Sequence, residues 1–587
     1  MRDLKCLLHY LGPYRKDMAI GALLIVMENG FELIIPILMA DLIDVGVANH
    51  DMVYILHKGI QMVVCALLSL ATGLLYARFA ARAAYGWGAR IREAQFERVQ
   101  SYAFSNLDHF ETSSLITRMT TDVTVLQNAI NGGFRPMVRG PVMLVFGVAL
   151  SFWMNPDLAL VFVLCAPILG AILFYIVHKI APKYHLLQKA IDQLNSTVQE
   201  ELAAIRAVKA FVRGEYEKER FEKVNKTLMD TSQNTFRYAV LNLPAFQLTL
   251  YTAVILIMWF GGNMVLDSSL QVGDLTGFLS YVFQIMNSMM MISNVFLLLT
   301  RSLASAHRIS EVLDEEIVLL SPENGVTEIP DGRVTFENVS FKYNPEAREY
   351  ALSDVSLQIE TGQTVGILGG TGAAKSTLVQ LIPRLYDATT GVVKVGGRDV
   401  REYDLHALRD AVGMVLQKNV LFSGTVRENL LWGNPQADDE TIWEACRAAC
   451  AEEFLKQMPK GLDTDLGQGG VNISGGQKQR LCIARALLKH PKVLIFDDST
   501  SAVDTATEGE IRTALARLTD VTKIMIAQRI TSVIGTDQIV VMDDGRIHAI
   551  GTHAHLLEND PIYQEIYASQ MKGADIHAGS AAQRQEA

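Results

Sequence analysis

The chain has 587 residues, half of them hydrophobic, and a formal net charge of −11. Its mean hydropathy of +0.20 is too high for a purely soluble protein, and its length too great for one domain. The acidic balance, with no Lys/Arg run of useful length, argues against nucleic acid as a partner, because phosphate binding needs a basic patch.

The first residues, MRDLKCLLHYLGPYRKD, lack a small-residue cleavage site, and the apolar segment after them is longer than a signal-peptide core. It is read as a retained membrane span. Runs long enough to cross a bilayer occur only before about residue 300. They fall at Met18–Leu42, Gly59–Ala80, Met137–Met154, Leu158–Ile180, Leu243–Leu266 and Leu275–Leu299, which predicts an all-α domain of six spans over residues 1–310. Basic residues, among them Arg90, Arg92, Arg98, Arg118, Lys183, Lys189, Arg206 and Lys209, crowd into the second and fourth connections. The positive-inside rule then expects a multi-pass protein of the cytoplasmic membrane with both termini in the cytoplasm.

Those two connections, Arg82–Pro136 and Pro182–Asn242, are too long for ordinary loops and almost free of Pro and Gly clusters. The reading is that helices continue out of the membrane, turn near Ser105–Ser114 and Arg213–Glu217, and return. Two acids one turn apart, Glu28 and Glu32, fall near the middle of the first span, where ionisable groups are costly and need a partner or a cavity. They are either candidates for binding a cationic substrate or a pair satisfied by neighbouring helices. Gln284 and Asn287, with Ser288, Met289, Met290, Met291 and Asn294, give the last span a polar and flexible stretch able to line an adaptable pocket.

After a linker over 311–332, residues 333–571 read as an α/β domain. A strand over Val365–Gly369 runs into GGTGAAKST, a Gly-rich turn opening a helix. In such a phosphate cradle the backbone of Gly369, Gly370, Thr371, Gly372, Ala373 and Ala374 approaches the phosphates. Lys375 bridges the terminal ones, Ser376 holds Mg²⁺ and Thr377 follows in the helix. Ala374 stands where the last glycine of the pattern belongs, at a cost of roughly 1 kcal/mol if that residue needs a positive φ. A second apolar strand, Val493–Phe496, ends in Asp497 and Asp498, placed for a Mg²⁺ carboxylate and a group that orients attacking water. Ser474, Gly475, Gly476 and Gln477 precede it at the start of a helix.

With these residues the chain resembles the ABC transporter family, and within it bacterial exporters that fuse six spans to one nucleotide-binding domain. The resemblance covers residues 1–571 and rests on Tyr343 in SFKY, GGTGAAKST, Gln417 in MVLQ, NISGGQ, FDD, SAVD with Asp504, and AQR with Gln528, all in the family's order. It implies ATP and Mg²⁺ as cofactors, Tyr343 stacking on adenine, and Gln417 joining Ser376 and Asp497 around the metal. It also implies a head-to-tail dimer in which Ser474–Gln477 complete the partner's ATP site.

The departures from the family pattern carry as much. Asp498 replaces the catalytic glutamate, Gln528 the switch histidine, and Gln468 a glutamate in TDLGQGG. Losing one methylene withdraws the carboxylate by roughly 1.5 Å, and misplacements of ~1 Å cost ~10²-fold in rate. Gln528 can hydrogen-bond phosphate but cannot handle protons as imidazole does. The chain therefore resembles the degenerate subunit of a heterodimeric multidrug-type exporter, whose partner half brings the glutamate and histidine and whose substrate is small and amphipathic or lipid-like. An active homodimeric exporter and a non-pumping gate or sensor are the alternatives.

The six cysteines, Cys6, Cys65, Cys165, Cys446, Cys450 and Cys482, form no CxxC pair, so reduced thiols and no cysteine-bound metal are expected. Residues 553–571 read as one closing helix, and 572–587 as a disordered tail.

Overall fold

A computed structural model describes residues 2–498 and 505–570 of the chain. The expected tail, and Asp504, lie outside the described residues. Two compact units emerge: residues up to Gln100 with Glu111–Glu315, and Ser101–Phe110 with residues from Glu316 onward.

The first unit is helical. Its six long helices are α1 (Arg15–Asp41), α2 (Met52–Gln100), α3 (Val123–Met154), α4 (Pro156–Ala203), α5 (Asn242–Leu266) and α6 (Val272–Asp314). Among the described residues six helices are long and apolar enough to cross a membrane. In lipid each backbone polar group must be satisfied within its own segment, which is why the spans are helical. The helices α2 and α4 run on without a break far beyond the predicted spans, and the second long connection continues as the helix Gly214–Ala239 packed along α4. The outward helical extensions are thus present.

Between α3 and α4 the chain reverses at one residue. Asn155 adopts an extended φ of −155° and its Oδ1 accepts the backbone N–H of Leu158 at 3.1 Å, while Pro156 takes the first helical position, where an N–H is not needed. The three short connections, Leu42–Asp51, Asn155 and Asp267–Gln271, contain no Lys or Arg. The core between helices holds Phe162 and Phe278 stacked at 6.1 Å, with buried Ile257 and Ile285 beside Tyr281, whose hydroxyl donates to the Leu33 carbonyl at 2.7 Å. The last span helix continues to Asp314, four residues past the 310 boundary read from the sequence.

The second unit is built on two sheets. One is antiparallel in the order β2-β1-β4-β5: β1 (Val334–Phe341), β2 (Leu352–Ile359), β4 (Thr390–Val395) and β5 (Arg398–Asp399). The other has the order β10-β9-β3-β8-β7-β6: β3 (Thr364–Gly369), β6 (Val412–Val415), β7 (Val493–Asp497), β8 (Thr522–Ile526), β9 (Gln538–Asp543) and β10 (Arg546–Gly551). Strands β9, β3, β8, β7 and β6 are parallel, and only β10 pairs antiparallel. Every residue of β7 and β8 is buried, the continuous apolar pattern of a strand covered on both faces. The closing segment differs from the single helix expected: it breaks at Asp560, because Pro561 cannot extend the ladder from His553–Asn559, and a second helix over 561–570 starts there. The Asp560 carboxylate caps it by accepting the Tyr563 N–H at 2.6 Å.

Candidate ATP site

Adjacent parallel strands end on the same edge of a sheet, and ligands of open α/β sheets bind outside those carboxyl ends. Because β3, β8 and β7 are neighbours, the residues just past them converge: the Gly-rich turn after β3, Gln528 after β8, and Asp497 with Asp498 at the end of β7. Gln417, two residues past β6, joins them. Together with Tyr343, which follows β1, they line a cavity of about 420 Å³.

The turn leaves β3 through Gly369 at φ 157°, where a Cβ would meet the Met542 carbonyl oxygen at 2.3 Å, so only glycine fits. It enters the helix α7 (Lys375–Gln380) through Ala374 at φ 63°. The alanine therefore occupies the left-handed conformation that the glycine of the pattern serves. The Lys375 ammonium donates to the carbonyls of Gly369 and Gly370 at 3.0 and 2.7 Å, folded back over the turn. Burial lowers its pKa, and the charges of Asp498 and Asp497 oppose the shift. Ser376 Oγ donates to Asp497 Oδ1 at 2.7 Å.

Asp497 is 4% exposed, and burial raises its pKa, the hydrogen bond from Ser376 opposing and the Asp498 charge adding to the rise. A buried carboxylate beside a hydroxyl and an ammonium fits a divalent cation bridging to phosphate, which would supply the missing positive charge. Ser376 and Asp497 would hold it. Tyr343 also lines the cavity; its hydroxyl is 2.9 Å from Thr377 Oγ1, and its half-exposed ring is open to a flat partner.

The two substituted positions meet directly. Asp498 has φ 46°, and its Oδ2 accepts Gln528 Nε2 at 2.6 Å and Gln417 Nε2 at 3.4 Å. The four residues Ser474–Gln477 stand apart: none lines this cavity. Ser474 instead caps the helix α8 (Gly475–Leu487), its Oγ accepting Gln477 N–H at 3.3 Å while Gln477 Oε1 accepts Ser474 N–H at 2.9 Å. Ser474 and Gly475 are exposed, so the cap presents its open side to solvent.

In the first unit the acids of α1 have partners that the sequence reading passed over. Arg135 of α3 donates to Glu28 Oε1, and Arg139 reaches Glu28 Oε1 at 3.2 Å with one nitrogen and Glu32 Oε2 with the other. The predicted third span started at Met137, which cut this stretch of helix in two. The signal was present as Asn131, Arg135 and Arg139, spaced by four on one face of α3. Met291 lines the cavity beside these arginines, whereas Gln284 and Asn287 do not. The side chain of Asn294 lies outside the described residues.

Known proteins place these features in one family. The profile described as the ABC transporter transmembrane region matches residues 18–289, and that described as ABC transporter matches residues 352–501. An uncharacterized ABC transporter ATP-binding protein, YfiB of Bacillus subtilis (strain 168), is 37% identical over 563 residues, 96% of this chain and 98% of that one. An ATP-dependent lipid A-core flippase of Desulfotalea psychrophila is 31% identical over 573 residues, 97% of this chain and 99% of that one. In fold, the chain is similar to a bacterial Atm1-family ABC exporter solved with ATP bound, at a TM-score of 0.80 and 24% identity over 94% of this chain and 98% of the other. With both profiles matched in one chain, six apolar helices, and relatives above 30% identical over nearly its whole length, this chain belongs to the ABC transporter family, as a half-size bacterial exporter that couples ATP to transport.

Proposed function

We propose that the chain is one half of an asymmetric dimer that exports a small amphipathic or lipid-like substrate across the cytoplasmic membrane, both termini being cytoplasmic. Its own ATP site binds Mg-ATP and hydrolyses it slowly. Its exposed Ser474–Gln477 cap completes the site of a partner half that carries the glutamate and histidine. The carrying observation is the Gln528–Asp498 contact: the short carboxylate is held 2.6 Å from an amide that cannot relay a proton. The capped but exposed start of α8, outside the chain's own nucleotide cavity, supports its use by a second chain. The lipid substrate named for the flippase relative supports the lipid-like reading. The absence of Lys and Arg from the short connections supports the orientation.

The test is ATPase activity of the co-expressed pair in nanodiscs. Ser474→Ala should remove most turnover, because it disables the competent site, while Asp498→Asn should change it less than about twofold, within the ~0.4 kcal/mol that such a ratio represents. A loss from Asp498→Asn as large as that from Ser474→Ala would reject the asymmetric reading in favour of an active homodimer, and the reverse ranking would reject the use of the cap by a second chain.

A further inference from the structure

The helices α1 and α3 carry four charges between them, Glu28, Glu32, Arg135 and Arg139, joined in one chain of ion pairs. Charges within spans are costly, and a buried pair is often no more stable than an apolar one of the same shape. Such a set is therefore a candidate binding site. The cavity beside it is about 600 Å³ and is lined by Tyr76, Asn131, Arg135, Arg139 and Met291 among others, with no carboxylate in its wall among the described residues. Glu28 sits behind that wall at 3% exposure, whereas Arg135 is 42% exposed.

The acids therefore aim and balance the arginines, and the face turned to the cavity is made of donors. Among the described residues Arg135 Nε is buried with no hydrogen-bond partner, and the hydroxyl of Tyr76, a residue only 3% exposed, has no side-chain partner. Unsatisfied buried donors cost about 1–3 kcal/mol each, and a guanidinium fork matches a carboxylate or phosphate. Ala77, Pro136 and Met291 give the same cavity an apolar side. Its volume is within the roughly 300–1,000 Å³ of small-molecule sites.

We propose that this cavity receives the anionic headgroup of an amphiphile, its phosphate or carboxylate oxygens held by Arg135 with help from Asn131 and the Tyr76 hydroxyl, and its chain along the apolar side. This rests on the export reading and narrows its substrate class from amphipathic to anionic. Of the two readings open for Glu28 and Glu32 it takes the pair satisfied by neighbouring helices: they position arginines and are not the contacts of a cation.

The test uses the full chain with its partner half in zwitterionic nanodiscs and follows binding of radiolabelled dodecyl phosphate, with empty nanodiscs subtracted. Dodecyl phosphate should bind saturably and at least about tenfold more tightly than dodecyltrimethylammonium. Arg135→Gln should weaken it about tenfold, Arg135→Lys by only a few-fold, and Asn131→Leu, at an exposed position that folding tolerates, by a few-fold. Tighter binding of the ammonium amphiphile, or indifference to both Arg135→Gln and Asn131→Leu, would overturn the proposal. Displacement by equimolar inorganic phosphate would also overturn it, by assigning the site to free oxyanions. A fluorescent ATP analogue bound with unchanged affinity by each variant keeps this result separate from the motor reading, which stands or falls on nucleotide alone.

Discussion

At the scale of single residues, the Gly-rich turn keeps its left-handed backbone without its last glycine. Ala374 holds φ 63° where the family pattern has glycine. A left-handed L-residue costs about 1–2 kcal/mol, of which the greater freedom of glycine in the unfolded chain takes back about 0.4–1. Ala374→Gly should therefore gain up to about 1.6 kcal/mol of folding stability, seen as a higher denaturant midpoint for the second unit. A lower midpoint would mean that the methyl group helps to hold the turn. Asp497 gives a pH signature. Burial raises its pKa, and only the ionised form can ligate Mg²⁺. The Mg-dependent part of nucleotide affinity should be complete above that raised value and be lost as pH falls through it, at less acidic pH than an ordinary Asp would show. In titrations across pH with and without Mg²⁺, Asp497→Asn should abolish both the Mg²⁺ dependence and this acid limb; an acid limb that persists in the variant belongs to another group.

Among the elements, the short helix Phe104–Asp108 is the piece the sequence described least well. The reading placed a turn near Ser105–Ser114, and the structure has Ser101–Phe110 folded into the second unit. Asp108 Oδ2 accepts the Tyr386 hydroxyl at 2.8 Å, Asn106 is fully buried with its amide donating to the Glu316 carbonyl at 2.7 Å, and Phe104 lies 6.1 Å from the Tyr386 ring. The Tyr386 ring in turn meets Tyr343 edge-on at 5.2 Å, so the adenine platform and this helix share one neighbour. A hydrogen bond to a charged group contributes about 1.5–3 kcal/mol. Tyr386→Phe should speed amide hydrogen exchange over Ser101–Phe110 by about tenfold or more while leaving nucleotide affinity within about twofold; unchanged exchange would show the segment to be held by Asn106 and Phe104 instead. Span helices and the Gly-rich turn were legible because their signals are local: hydrophobic length, and glycines at fixed offsets after a strand. Asp108 with Tyr386 was not, since it pairs residues more than a hundred positions apart that no periodicity links, and the polar face of Arg135 and Arg139 on α3 is visible in the sequence while its pairing with Glu28, as distant, is not. The break at Pro561 was legible in principle, the proline being in plain view, but the helical pattern on either side outweighed it.

For the whole molecule, the proposed asymmetry means that a chain with a nucleotide cavity of its own turns over ATP rapidly only with a second chain. On that reading the Gly-rich turn, Asp497 and the Ser474 cap can serve as they stand, and the departures at the catalytic positions are a carboxylate one methylene short and an amide in place of imidazole. If those two residues are the whole barrier, the chain contains everything else that a symmetric dimer requires. Purified alone in nanodiscs it should hydrolyse Mg-ATP slowly, and Asp498→Glu with Gln528→His should raise the rate by on the order of 10²-fold, the scale of a ~1 Å correction in the placement of a catalytic group. The gain should disappear when Ser474→Ala is added, since each restored site in a symmetric pair still needs the cap of the other chain. Fast hydrolysis by the unaltered chain alone, unchanged by the double substitution, would mean that Asp498 and Gln528 already suffice and that the asymmetry lies elsewhere. A double variant that stays slow, while the mixture with a partner half is active, would place the barrier in the pairing of the chains, and the residues to examine next would be those flanking the cap, starting with Gln468 and the exposed Val471.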